Sequence, residues 1–318
     1  MRLVLAFAIS IAAPAASGQQ YPDRPIRLVV PQAAASATDI LVRHFTPKWS
    51  EVLGQPVVVD NRPGAGAIIG TEMVAKAPAD GYTILLGGSQ THAINKSLYR
   101  KLAYDPVADF APVGRIGQQA MILVTNAGVP VKSVAELLAY GKANPAKMNF
   151  ASSGNGSSAH LCGALFSAES GLRAEHVPYK AVAQALADLA SGQITMMFYP
   201  YIALQPHIQS GRVTVLGSAS DRRPSYLPQA PTLTEAGFPS MVVSPWFALY
   251  APAGTPRTTV DALYRALERT LNDPDVRSRF ASTGTEVWLA GPEELRGFTQ
   301  SEITRYQKIV ELSGAKAD

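Results

Sequence analysis

The sequence lacks the features expected of a disulfide-rich or nucleic-acid-binding protein. Its 318 residues include one cysteine, Cys162, so no intramolecular disulfide can form. Only 16% of the residues are charged, and the formal net charge of +4 is not concentrated in a Lys/Arg cluster. This mild basic excess argues against a nucleic-acid partner and is compatible with small anionic ligands.

Signals for metals, cofactors and catalysis are also scarce. No Gly-x-Ser-x-Gly nucleophile elbow occurs, and the glycines at positions 64, 66 and 70 form a loose dinucleotide-like pattern without an acidic residue for a ribose. The five histidines show no metal-ligand spacing: His44, His92, His160, His176 and His207. We therefore expect no metal, no cofactor and no catalytic residue.

Long apolar runs are absent as well. The run at residues 3–9 is too short to cross a bilayer, and no later segment is longer. It follows Arg2 and precedes small residues up to Gly18, which is the pattern of a secretory signal peptide. We expect residues 1–18 to be removed and the mature chain, starting near Gln19, to be a soluble protein exported to the periplasm.

What the sequence does contain is a serine- and glycine-rich loop at residues 151–161, between a short strand and a helix. Glycines let a backbone approach a ligand closely, and the first N–H groups of a helix are unpaired donors at its positive end. Such a turn suits a carboxylate or phosphate. The alternative is an ordinary capped loop, with Ser157 or Ser158 as the N-cap.

Similar strand–loop–helix units recur along the chain. The strands at residues 26–30, 57–59 and 82–86 are each followed by a loop of small and polar residues. Strands alternating with helices predict an α/β fold with parallel sheets, in which ligands bind at the carboxyl ends of the strands. We predict that a strand-like segment near residue 246 returns to the first unit. We therefore predict a discontinuous lobe 1 at residues 19–121 and 246–318, with lobe 2 at residues 122–245 inserted into it.

Six stretches, in this order, carry a family resemblance: residues 21–27, 60–66, 76–83, 104–110, 176–180 and 251–256. In them the chain resembles the periplasmic substrate-binding proteins of tripartite tricarboxylate transporters, also called the Bug family. The resemblance covers essentially the whole mature chain. It implies a two-lobed Venus-flytrap fold, no catalysis, and delivery of carboxylate-bearing solutes to membrane permease subunits.

The resemblance also implies a ligand held between the lobes by two loops. The serine-rich loop is intact, but the loop after the first strand has Ala34 and Ala35 where the family usually has glycines, and Gln32 where it has phenylalanine. Alanine tolerates positive φ poorly, so we expect this loop to follow a different path. The strand predicted to end at Phe198 is followed by Tyr199, where the family often has aspartate.

Tyr199 offers a flat apolar face, which favours a dicarboxylate without an amino group, including an aromatic diacid such as terephthalate. Packing of Tyr199 and Tyr201 between the lobes explains them equally well. His92 could donate to a carboxylate or simply pack, and Asp39 is better explained as an acid near the helix cap. The predicted ligand-binding residues are Gln32, Ser36, Thr38, Asp39, Ser89, Gln90, His92, Ser153, Asn155, Gly156, Ser157, Ser158, Tyr179 and Tyr199.

The preferred hypothesis is therefore a monomeric solute-binding protein that captures an organic di- or tricarboxylate for transport. A receptor for a two-component sensor would use the same site, and the sequence does not separate the two. An enzyme acting on a carboxylate is the rival from another class, but turnover needs a poised base or nucleophile and no residue is a convincing candidate.

Overall fold

The computed structural model describes residues 21–316. The predicted signal peptide at residues 1–18 lies outside the described residues. Within residues 21–316, no helix is both long enough and apolar enough to span a bilayer.

Strands and helices alternate through most of this range. The strands are β1 Ile26–Val30, β2 Val57–Asn61, β3 Thr83–Gly88, β4 Phe110–Gln119, β5 Met121–Asn126, β6 Asn149–Ser152, β7 Glu175–Pro178, β8 Met196–Pro200, β9 Val213–Ser218, β10 Trp246–Pro252 and β11 Thr285–Ala290. The helices are α1 Ala37–Leu53, α2 Ile68–Ala75, α3 Asn95–Leu98, α4 Val134–Ala143, α5 Ser158–Ser170, α6 Val182–Ser191, α7 Tyr201–Gln209, α8 Arg257–Leu271, α9 Pro274–Ser282 and α10 Pro292–Ser313.

The first sheet has six strands in the order β11-β4-β10-β3-β1-β2. Strands β1, β2 and β3 are parallel, as the alternation with helices predicted. Strand β10 instead runs antiparallel between β3 and β4, and β11 pairs antiparallel with β4, so the sheet is mixed. Strands β4 and β11 are not among the strands predicted from the sequence.

The second sheet has five strands in the order β7-β6-β8-β5-β9. Strand β6 is parallel to both β7 and β8, and β5 runs antiparallel between β8 and β9. The sequence predicts a strand that ends at Phe198, but β8 extends to Pro200, so Tyr199 belongs to the strand and not to a loop after it. The two sheets confirm the predicted α/β class.

Local sequence signals set the ends of the two helices that matter most for the site. Ser36 caps α1 by accepting a hydrogen bond from the Asp39 N–H, and Ser157 caps α5 by accepting one from the His160 N–H. Gly54 and Gly171 end these helices in the left-handed conformation that glycine adopts most easily.

Two adjacent chain crossings join the sheets. Ala120 separates β4 of the first sheet from β5 of the second, and Pro245 precedes β10. The crossings are tied together, because the Gln119 N–H donates to the Pro245 carbonyl at 3.0 Å. We refer to each sheet with the helices packed on it as one part of the molecule. Helix α10 packs on β4 of the first part and on α5 of the second, and therefore contacts both. A continuous buried cluster extends from Leu85 of β3 to Phe198 of β8, which shows the two sheets in close apposition.

Candidate functional site

Two adjoining cavities lie where loops from both sheets face each other. The inner cavity has a volume of about 60 Å³ and the outer one about 500 Å³. Four residues line both cavities, so the two are neighbours: Pro31, Gln32, Gln90 and Ser153. The site is therefore a small chamber opening beside a larger one.

The N-termini of two helices meet at the inner cavity. Ala37 and Thr38 from the first turn of α1 line one side, and Ser158 and Ala159 from the first turn of α5 line the other. The first N–H groups of a helix lack partners within the helix, and the helix dipole places partial positive charge there. Because the two helices follow strands of different sheets, the chamber has donors from both parts of the molecule.

The loop before α1 is held by a chain of side-chain hydrogen bonds. The Thr38 hydroxyl donates to Gln32 Oε1 at 2.6 Å, and Gln32 Nε2 donates to Gln90 Oε1 at 3.0 Å. Gln90 Nε2 in turn donates to the Gly66 carbonyl at 3.3 Å. Gln32 and Gln90 together therefore link three loops at the carboxyl edge of the first sheet.

Ala35 adopts a left-handed backbone conformation with φ 61°, which we had expected alanine to avoid. Its N–H donates to Asp39 Oδ2 at 2.9 Å. Left-handed φ costs a non-glycine residue about 1–2 kcal/mol, so the loop keeps a conformation suited to glycine and carries strain.

Asp39 is buried and lines neither cavity. Besides Ala35, it accepts hydrogen bonds from Arg43 Nε at 3.0 Å and Asn61 Nδ2 at 3.0 Å. Burial alone would raise the pKa of this carboxyl, but these hydrogen bonds outweigh it and hold the pKa below its ordinary value. Asp39 braces the loop and does not face the ligand space.

The serine loop of the second sheet presents Ser153, Ser157 and Ser158 to the cavities. Asn155 is exposed and lines neither cavity. Gly156 is buried, and a Cβ at this position would overlap Cδ2 of Leu98 from α3 in the first part of the molecule. Gly156 therefore permits close approach of the two parts and does not itself line a cavity.

Two stacked histidines contact the serine loop and hold it in place. The rings of His160 and His176 lie 4.1 Å apart with an interplanar angle of 11°. His160 Nδ1 accepts a hydrogen bond from the Gly156 N–H at 3.1 Å, and His176 Nε2 lies 2.7 Å from Ser152 Oγ. Burial lowers the pKa of both rings; the pKa of His176 falls to about 4, with a further contribution from His160. Their neutral forms therefore hold the loop.

Tyr199 bridges the two parts of the molecule at the inner cavity. The ring is buried, and its hydroxyl lies close to the main-chain N–H of Ala37 and to the side chain of Ser153. Burial raises the pKa of this phenol to about 12, although the interactions with Ala37 and Ser153 act in the opposite direction. Tyr201 instead packs against Tyr226, with ring centroids 4.7 Å apart.

The loop after β3 contributes Ser89 and Gln90 but not His92. The His92 ring is fully buried and stacks on Tyr250 at 3.6 Å, with Nδ1 2.8 Å from the Thr91 hydroxyl. Burial lowers its pKa to about 3, so the ring is neutral. Of the two roles considered for His92, the geometry is that of packing.

Ten of the predicted site residues line one or both cavities: Gln32, Ser36, Thr38, Ser89, Gln90, Ser153, Ser157, Ser158, Tyr179 and Tyr199. The four that do not are Asp39, His92, Asn155 and Gly156. Sequence reasoning missed Lys180 and Trp246, which line the outer and inner cavities, respectively. The available signal was their position, since Lys180 follows β7 at the carboxyl edge and Trp246 begins the returning strand.

Comparison with known proteins identifies relatives along nearly the whole chain. The sequence profile of the tripartite tricarboxylate transporter family receptors matches residues 41–315. Protein BugT of Bordetella pertussis is 38% identical over 307 residues, covering 96% of this chain and 94% of that protein.

Two solved structures are similar in fold as well as in sequence. The structure of R. palustris Rpa4515 with adipate superposes on this chain with a TM-score of 0.89. The two sequences are 34% identical, and the alignment covers 93% of this chain and 99% of the other. MatC (Rpa3494) from Rhodopseudomonas palustris with bound malate has a TM-score of 0.86 at 32% identity, covering 91% and 100%. These likenesses confirm the periplasmic-binding-protein fold expected from the sequence. The chain belongs to the family of tripartite tricarboxylate transporter receptors, which are solute-binding proteins.

Proposed function

We propose that this protein is a periplasmic receptor that captures an organic di- or tricarboxylate between two lobes for uptake by a tripartite tricarboxylate transporter. The observation that carries the proposal is the meeting of two helix N-termini, from α1 and α5, at the inner cavity. A carboxylate is the natural occupant of such a position, because unpaired N–H groups and both helix dipoles favour negative charge there.

The composition of the walls supports a carboxylate without an amino group. Among residues 21–316, no aspartate, glutamate, lysine, arginine or histidine lines the inner cavity, whose polar side chains are hydroxyls, amides and the indole of Trp246. Neutral donors bind a carboxylate without a competing buried ion pair. Because none of the described residues that line the two cavities is acidic, an ammonium group would have no partner there, so we expect amino acids to bind poorly.

The outer cavity is large enough for the rest of the ligand. Pocket volumes of about 300–1,000 Å³ are usual for small-molecule ligands, and the outer cavity lies within this range. The structural relatives are described with adipate and malate, both dicarboxylates without an amino group. An aliphatic or aromatic spacer, as in adipate or terephthalate, would lie in this larger space, with the Tyr199 ring beside the inner carboxylate.

Closure of the lobes would convert binding into a signal for the permease subunits. We propose lobes at residues 19–121 with 246–318 and at residues 122–245, and a hinge at the two crossings around Ala120 and Pro245. The contact of Tyr199 with Ala37 and the packing of α10 on α5 would form as the lobes close. A ligand that contacts both helix N-termini stabilises the closed state and so shifts the population towards it.

A thermal-unfolding screen of residues 19–318 tests the proposal, with adipate, malate, citrate and terephthalate as ligands and glutamate as the amino-acid comparison. A ligand present at 100 to 1,000 times its Kd stabilises the fold by about 2.7–4.1 kcal/mol. We expect at least one carboxylate at 1 mM to raise the Tm by several degrees and glutamate to have little effect. If no carboxylate raises the Tm, the proposed function is wrong. NMR spectra of the incubated mixture should show unchanged ligand, and a product would favour an enzyme instead.

A further inference from the structure

The outer cavity contains an unpaired positive charge. Lys180 lies just after β7, and it is the single Lys, Arg, Asp, Glu or His residue among the described residues that line the two cavities. Within residues 21–316, its ammonium group has no ion pair or hydrogen bond. What distinguishes Lys180 from other exposed cations is its position in the wall of the cavity.

The wall between the inner cavity and Lys180 is mainly apolar. The apolar residues that line the outer cavity include Pro31, Ala33, Pro63, Ala65, Pro178 and Val182. An apolar lining favours a hydrocarbon spacer, because burying it removes apolar surface from water. The neighbouring tyrosine is not available as a donor, since the Tyr179 hydroxyl already donates to Asp188 Oδ2 at 2.7 Å.

From this arrangement we propose that Lys180 binds the distal carboxylate of a dicarboxylate whose proximal carboxylate occupies the inner cavity. The inference rests on the proposed function and adds a residue that distinguishes dicarboxylates from monocarboxylates. The proximal end is recognised by neutral N–H and hydroxyl donors, the apolar spacer crosses the outer cavity, and the ammonium of Lys180 pairs with the far end.

The size of the effect follows from the exposure of the lysine. An ion pair at the rim of a cavity is partly screened by water, so it contributes less than a buried pair. We expect its loss to weaken binding of a dicarboxylate about three- to tenfold. The contribution should shrink as NaCl is raised from low concentration to 0.5 M, because added salt screens an exposed pair.

The test is isothermal titration calorimetry with dicarboxylates and matched monocarboxylates of the same chain length: glutarate with pentanoate, adipate with hexanoate, and pimelate with heptanoate. The variants are Lys180→Met, Lys180→Arg, which keeps the charge, and Lys147→Met. Lys147 is an exposed lysine on the second sheet's side of the molecule that lines neither cavity.

For the dicarboxylate that the wild type binds best, we expect Lys180→Met to raise the Kd about three- to tenfold, with Lys180→Arg and Lys147→Met close to wild type. The matched monocarboxylate should bind wild type and Lys180→Met equally.

Equal dicarboxylate affinity of wild type and Lys180→Met overturns the inference and leaves the proposed function standing. An equal loss for the monocarboxylate also overturns it, because a merely structural lysine would affect both ligands. If the wild type binds none of these ligands or those in the thermal screen, both proposals are wrong.

Discussion

Two loops face each other across the inner cavity, and each presents a helix N-terminus to it. The side chains that hold the two loops in place differ in charge. The loop before α1 is braced by the ionised carboxylate of Asp39 and contains an alanine, Ala35, in a left-handed conformation. The loop before α5 is braced by the neutral ring of His160 and uses Gly156 where positive φ is required. A charged carboxylate in one loop and a neutral ring in the other therefore support the same geometry, in which a helix N-terminus is open to an anion.

Because of this difference, we expect the two loops to differ in their tolerance of added side-chain volume and of low pH. The serine loop depends on the small size of Gly156 and on unprotonated histidine, so added bulk or acid should disturb it first. The loop before α1 depends on a carboxylate with a lowered pKa and should withstand acid better. It also carries strain at Ala35 that a substitution can relieve.

The largest expected effect comes from adding one methyl group to the serine loop. Gly156→Ala forces an alanine to φ 77° and places its Cβ against Leu98 of the opposing part of the molecule. The backbone cost of about 1–3 kcal/mol, together with hindered closure, should raise the Kd for a bound dicarboxylate about 10- to 100-fold in calorimetry.

Gly171→Ala is the matched control for this substitution. Gly171 has a similar φ of 69°, at the other end of α5, but a Cβ there would meet no atom within 4 Å. It should lower the free energy of unfolding by about 1 kcal/mol and leave ligand affinity unchanged. If both variants lose affinity equally, the Leu98 contact does not limit closure.

The pH response should distinguish the two loops next. His160 has a lowered pKa because it is buried, so its Nδ1 loses the ability to accept from Gly156 only as the pH falls below the ordinary value of 6.5. The carboxylate that accepts from Ala35 has a pKa below 3.8. In ¹⁵N NMR spectra recorded from pH 7 to pH 4, we expect the amide signal of Gly156 to titrate and that of Ala35 to stay in place.

The variant His160→Asn tests the cause of this titration. The asparagine amide oxygen can accept a hydrogen bond but does not titrate in this range. The Gly156 signal should therefore lose its pH dependence in the variant. A wild-type Gly156 signal that does not move, or an Ala35 signal that moves over the same range, would contradict the assignment of the two supports.

The smallest expected effect is a gain in stability at the first loop. Ala35→Gly removes the left-handed strain of about 1–2 kcal/mol, but it also increases the entropy of the unfolded chain by an amount worth about 0.4–1 kcal/mol. Urea unfolding should show a net gain of about 0.5 kcal/mol. Ala34→Gly, where φ is not positive, should lower stability instead. A loss at both positions would mean that Ala35 carries no strain.

Much of this site could be predicted from the sequence because its signals are local. The serine loop and the cap at Ser157 both depend on neighbouring residues, so the sequence alone predicts them. Strand β4 was missed because Gly114, Gly117 and its polar end do not alternate in polarity.

The rest depends on contacts between segments that are distant in sequence. The stacked pair of His160 and His176 forms because α5 packs beside β7, and Gly156 meets Leu98 only when the two parts of the molecule come together. His92 follows a strand at the correct edge of the sheet, yet its ring turns inward to stack on Tyr250. Position along the chain indicates which loops face the site, but packing decides which side chains enter it.

The most direct test of the central claim is a crystal structure of the protein with a bound dicarboxylate. We predict one carboxylate in the inner cavity, within hydrogen-bond distance of main-chain or hydroxyl donors from the first turns of both α1 and α5. A ligand held by only one of these helix N-termini, or bound outside the two cavities, would contradict the account.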